Sequence, residues 1–89
     1  MEQNIFGSMI SGALDLESHE FTVTKLKNIS TQSVWSIAQM REMYDSLTRV
    51  LERGEDSLVI MTGTLPLLVN RSEMEALRAE LSSVLSSLS

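Results

Sequence analysis

Chemistry in a short chain needs a nucleophile with its base, a set of metal ligands, or a glycine loop that cradles phosphate. The single histidine, His19, stands in the polar segment Glu17-Ser18-His19-Glu20. That setting describes an exposed, titrating loop; a zinc site on one histidine would need several carboxylate co-ligands. Cysteine is absent, which removes disulfides and thiolate metal sites together. Serines are numerous, but no histidine sits where a fold would bring a base to one of them. The acidic pairs Glu42 and Asp45, and Glu73 and Glu80, fall on expected helix surfaces. Solvated faces explain them better than general acid–base work, which requires burial to tune a carboxylate. Gly7, Gly12, Gly54 and Gly63 match neither a phosphate loop nor a dinucleotide fingerprint. The expectation is a protein without catalytic residues, metal or cofactor, and not an enzyme.

The elements that would position any site must fit within 89 residues, which make one domain, 1–89. A chain this short buries only about 60–65% of its unfolded surface, so its core is marginal by itself. With disulfides excluded, a second subunit is the expected support, as a dimer or higher oligomer. The net charge of −5 argues against nonspecific binding to nucleic acid or anionic membrane. No apolar run reaches the ~18 residues of a membrane span. Glu2 and the lack of a basic leading region make a poor signal peptide, and the expected compartment is the cytoplasm.

Along the chain, Ile5, Phe6, Met9, Ile10, Ala13 and Leu14 recur at helical spacing and predict an apolar N-terminal helical segment over 1–16, weakened by Gly7 and Gly12. Residues 17–20 read as a polar connector. One strand is expected over 21–29, with Phe21, Val23 and Ile29 on odd positions and Leu26 out of period. Ser30 to Ser33 is a polar break, and Ser33-Val34-Trp35 is either a short strand or the start of a helix. Ser36-Ile37-Ala38-Gln39 has capping-box form, and Ile37, Met40, Tyr44, Leu47 and Leu51 continue as a helical stripe to Arg53-Gly54. Ser57 to Met61 reads as a buried strand, Thr62-Gly63-Thr64 as a turn, and Leu65 to Val69 as an antiparallel return with Pro66 at its start or edge. Asn70 and Ser72 are both N-cap candidates, and Ser72-x-x-Glu75 is a second capping-box pattern. The last helix carries Met74, Leu77, Leu81, Val84 and Leu88, with Leu85 alongside. The fold class is therefore α+β: a small antiparallel sheet, two main helices and the N-terminal helical segment.

Two or three strands cannot cover five turns of the last helix, so Leu81 to Leu88 are expected to meet another chain. For residues 5–14, fraying, intramolecular packing and partner binding all remain open. A membrane-surface helix is the weakest reading, because no lysine or arginine precedes Lys25. The candidate partner-binding or oligomerisation residues are Ile5, Phe6, Met9, Ile10, Leu77, Leu81, Val84, Leu85 and Leu88.

At residues 33–77 the order of features resembles the Phd/YefM family of antitoxins. Ser36-Ile-Ala-Gln-Met-Arg41 opens a helix that ends in Leu47-Thr-Arg-Val-Leu-Glu-Arg-Gly54. Leu58-Val-Ile-Met-Thr62, a tight turn, Leu67-Leu-Val-Asn70 and Ser72-Glu-Met-Glu-Ala-Leu77 follow. The resemblance implies a homodimer that neutralises a toxin through its C-terminal segment and represses its own operon through basic residues. Arg41 matches the arginine that opens the family's helix, and Met74 falls where the family prefers tyrosine. Residues 72–89 correspond to the start of the toxin-binding region, with 78–89 as a C-terminal extension. Lys25, Lys27 and Arg41 are the weak candidates for DNA contact. The turn at Thr62 to Leu65 lacks the family's basic residues and is shorter, about thirty extra residues precede the match, and the chain is acidic.

The expected function is a non-enzymatic, antitoxin-like regulator, a homodimer that sequesters a protein partner, with DNA binding uncertain and no membrane association. The alternative class is a small structural or assembly adaptor, of phage or secretion-complex type, docking through its terminal helices.

Overall fold

A computed structural model describes residues 2–62 and 65–88. Four strands come first: β1 (Glu2–Phe6), β2 (Ile10–Asp15), β3 (Glu20–Leu26) and β4 (Ile29–Ser36). Helix α1 (Ile37–Glu52), strands β5 (Ser57–Thr62) and β6 (Leu65–Asn70), and helix α2 (Arg71–Leu88) complete the chain. The first four strands form an antiparallel meander in sequence order, and β5 and β6 form a separate antiparallel pair. The α+β class and the succession helix, hairpin, helix after residue 36 match the sequence expectation. The turn residues Gly63 and Thr64 lie outside the described residues.

The N-terminal helical segment is corrected: residues 5–14 belong to a β-hairpin. Ile5 pairs with Gly12 and Phe6 with Ser11. Once the chain reverses at Gly7-Ser8, alternation along β2 turns Ile10 and Leu14 into the core, while Phe6 on β1 faces solvent. Gly12 serves the sheet instead of weakening a helix. A Cβ there would overlap the Thr22 carbonyl of the neighbouring strand and touch the Phe21 ring.

The single strand expected over 21–29 is also corrected, to two strands joined at Lys27-Asn28. Against β2, Ser11 pairs with Lys25 and Gly12 with Val23, a register shift that leaves Thr24 as an extra residue in β3. That shift changes the parity of everything after it, so Leu26 joins Phe21 and Val23 in the core despite its even number. Lys27 sits at φ +60° in the turn, a conformation that usually favours glycine. The polar break from Ser30 to Ser33 and the ambiguous Ser33-Val34-Trp35 are both part of β4.

Across the meander, Leu14, Phe21 and Trp35 lie side by side, as do Ile10, Leu26 and Ile29. Phe21 and Trp35 meet edge to face at 6.4 Å between ring centroids. This face joins a single core with Met40, Leu47, Val50 and Leu51 of α1, Ile60, Leu67 and Val69 of the hairpin, and Met74, Leu77, Leu81 and Val84 of α2. Full burial of each large apolar side chain stabilises the fold by about 1.5–3 kcal/mol. The opposite face of the meander carries Ser11, Lys25 and Ser30 in one row.

Both helices begin on reciprocal caps. The Gln39 N–H donates to Ser36 Oγ at 3.2 Å, and the Ser36 N–H donates to Gln39 Oε1 at 2.8 Å. At α2 the box is Asn70 with Glu73, correcting the Ser72–Glu75 pattern. The Glu73 N–H donates to Asn70 Oδ1 at 2.8 Å and the Asn70 N–H to Glu73 Oε1 at 2.9 Å. Helix α1 ends as its sequence indicates: the Gly54 N–H reaches back to the Leu51 carbonyl at 3.1 Å, with Gly54 at φ +76°.

Candidate functional site

Five of the nine residues expected to meet a partner are in the chain's own core. Met9, Ile10, Leu77, Leu81 and Val84 are buried without any second molecule. Ile5, Leu85 and Leu88 are half-buried and pack against that core. The expectation that the distal stripe of α2 lacks cover is therefore corrected. It rests on two or three strands, whereas the described residues form six, because residues 5–14 belong to a hairpin and residues 21–29 to two strands. Of the nine, only Phe6 stands out into solvent, at 84% exposure.

The charged candidates divide in a similar way. Lys27 Nζ lies 3.0 Å from the Glu73 carboxylate and donates to the Leu68 carbonyl at 3.2 Å, so this lysine ties the meander to β6 and α2. Lys25 and Arg41 are exposed, on β3 and α1. Glu73 is held below the ordinary carboxylate range, first by the Asn70 N–H and then by Lys27. Asp15 is lowered too, by the backbone N–H groups of Glu17 and Ser18 that it accepts in the turn preceding His19. Glu80 is engaged by the β1–β2 turn, where its carboxylate accepts from Ser8, Met9 and Ile10. Each of these carboxylates has a structural task. Among the described residues no three His, Asp or Glu side chains converge as metal ligands. No described helix is long and apolar enough to cross a membrane.

Besides Phe6 on β1 and Val34 on β4, the exposed large apolar side chains among the described residues are on the hairpin β5–β6. Strand alternation sends Ile60 and Leu67 inward as one cross-strand pair. It sends Val59 and Leu68 outward as the next, at 55% and 60% exposure. Met61, at 61%, stands opposite the exposed Pro66. Four apolar side chains thus share one outward face on a two-stranded sheet. Reading Ser57 to Met61 as a fully buried strand misses this face. The signal available was Pro66, which marks an edge and hence a sheet too small to be covered on both sides.

Beside that face runs a groove of about 620 Å³ between α1 and β5. The helix lines it with one stripe that includes Glu42, Met43, Asp45 and Arg49, and β5 lines it with every residue from Leu58 to Met61. Consecutive strand residues can line one groove only if the strand presents its backbone edge there, since side chains alternate between faces. The site therefore combines an apolar sheet face, an adjoining strand edge and a flanking row of charges. Such an arrangement has the parts for holding polypeptide. No protein-family model, no curated protein and no solved structure matches the chain.

Proposed function

We propose that this chain is a non-enzymatic, protein-binding regulator of antitoxin-like type, a homodimer that sequesters a protein partner. The observation that carries the reading is the outward hairpin face of Val59, Met61, Pro66 and Leu68. Every long apolar stripe on the helices is consumed by the chain's own core, yet this cluster is left on the surface. Aggregation-resistant proteins ordinarily blunt such a face unless it is used. The order strand, helix, hairpin, helix across residues 33–77 agrees with the Phd/YefM resemblance. Operator binding is the least supported part, because the Lys27 charge is already paired with Glu73 and the chain carries −5 overall.

The adaptor reading loses the docking mode first given to it, since one terminal helix is a hairpin and the other has its apolar face buried. A protein-binding task through the hairpin suits a regulator and an adaptor alike, and the neighbouring genes distinguish them. The test is co-expression with the product of the adjacent reading frame. A stoichiometric complex with relief of growth inhibition supports the antitoxin-like reading. A complex with no growth effect favours the adaptor. Failure to form any complex overturns the protein-binding reading.

A further inference from the structure

The two edges of the hairpin are treated differently. On β6, Pro66 has no N–H, the Leu68 carbonyl accepts from Lys27, and the Asn70 N–H donates to Glu73. These three residues share one parity, and it is the parity whose backbone groups point away from β5. Their partners across the pair are Met61, Val59 and Ser57. In an antiparallel pair, residues opposite one another point their backbone groups the same way, both inward or both outward. Ser57, Val59 and Met61 therefore aim their N–H and C=O groups out of the sheet, and Val59 and Met61 line the groove beside α1. The outer edge of β6 is closed by a proline, a lysine and a carboxylate. Among the described residues no side chain closes the edge of β5.

We infer that the β5 edge takes an extended segment of the partner protein, added antiparallel to β5 and carrying a cation ahead of an anion. This inference rests on the protein-binding reading above and names its surface. The charge order follows from the chain's course. Only residues 53–56 join α1 to β5, so the strand runs back along the helix. Arg49 lies toward the Leu58 end, and Glu42 with Asp45 toward the Met61 end. A segment antiparallel to β5 enters at the Met61 end, meets Glu42 and Asp45 first, and reaches Arg49 last. Glu42 and Arg49 are separated by about 10 Å of helix, roughly three residues of strand. Alternation then places the two charges two or four residues apart on the α1 side. Apolar residues between them continue the outward face of Val59 and Met61. A second copy fits poorly. Its β5 would enter with Glu55 and Asp56 leading, against Glu42.

The probe is the acetylated, amidated octapeptide Thr-Lys-Val-Thr-Val-Glu-Val-Thr, titrated into the full chain, with its Lys and Glu exchanged as control. Amide exchange at Val59 and Met61 is expected to slow at least tenfold on saturation. The exchanged-charge peptide should need about ten times the concentration. Val59→Pro removes an outward N–H and spares the β6 ladder, so it should fold and lose the peptide. Ile60→Pro breaks the ladder and should unfold the hairpin. Equal binding of both peptides, binding unaffected by Val59→Pro, or an unfolded Val59→Pro chain would overturn the inference. So would protection at Val59 and Met61 that grows with the chain's own concentration, which assigns the edge to a second copy. If neither peptide binds while the adjacent gene product still forms its complex, this surface is wrong and the protein-binding reading stands. If the peptide binds as stated but no gene product does, the surface stands and the regulator reading fails.

Discussion

The Glu80 carboxylate on α2 accepts the backbone N–H of Met9 at 3.0 Å, across 71 residues of sequence. The same carboxylate takes the N–H of Ile10 at 2.9 Å and the Ser8 hydroxyl at 2.7 Å. One side chain thus takes the donors of Ser8, Met9 and Ile10, while the Gly7 N–H donates to the Ile10 carbonyl, and it fixes the first hairpin to the last helix. A Cβ on Gly7 would overlap that carboxylate, so the turn and the helix are matched to each other.

Glu80→Ala should therefore destabilise the fold by about 1–3 kcal/mol, the range for orphaning partly buried donors. Glu80→Gln, which keeps one acceptor oxygen, should lose less. Urea unfolding of the three proteins checks the order. Equal stability of all three would show the clamp to be ornamental.

Two glycines should respond differently to alanine. At Gly12 the new methyl meets the Thr22 backbone, which cannot move without breaking the β2–β3 ladder. A loss of about 2–3 kcal/mol is expected, in the upper part of the overpacking range. At Gly54 nothing lies within 4 Å, and the cost is only that of holding alanine at φ +76°, about 1 kcal/mol. Thermal unfolding midpoints should rank Gly54→Ala above Gly12→Ala.

Leu81 is completely buried among the chain's own residues. Leu81→Asp should cost several kcal/mol as a buried, unpaired charge and unfold the protein, whatever its oligomeric state. Circular dichroism at micromolar concentration reads this directly. A folded Leu81→Asp chain would mean that the distal half of α2 is not core.

The pH dependence has a definite sign. Glu73 and Asp15 are both lowered on folding, from ordinary values of 4.5 and 3.8. Their contribution is complete above those values and is lost as pH falls through the lower, folded ones. Stability should fall on acidification below about pH 4.5. Glu73→Gln should flatten the part of that decline due to Lys27 and Asn70. Denaturant midpoints between pH 7 and pH 3 test the claim, and a midpoint unchanged by Glu73→Gln at every pH contradicts it.

From residue 36 onward the fold is legible in the sequence, because a capping box, a three-four stripe and a terminal glycine all give the same helix. Before residue 36 two periodicities compete. Ile5, Phe6, Met9, Ile10 and Leu14 fit a helix, and they fit two strands if the chain reverses at Gly7-Ser8. What decides is Gly12 against Thr22 and Glu80 against the turn, contacts between residues distant in sequence. The parity change at Thr24 hid the β3–β4 turn for the same reason: a bulge shows only when the partner strand is known. That error carried into the site. Counting two or three strands leaves α2 without cover, a reading that the hairpin of residues 5–14 removes. Pro66 alone indicated the edge, and its significance for β5 emerges only when Lys27 and Glu73 are seen guarding β6.

The central claim is that β5 offers an open backbone edge through Val59 and Met61. Residue-resolved amide exchange on the dilute protein, alone and with its partner, tests it most directly. Leu58 and Ile60 should be protected in both states, while Val59 and Met61 exchange fast alone and slow on complex formation. Protection of all four residues in the dilute, partner-free protein would show the edge already covered and would contradict the account.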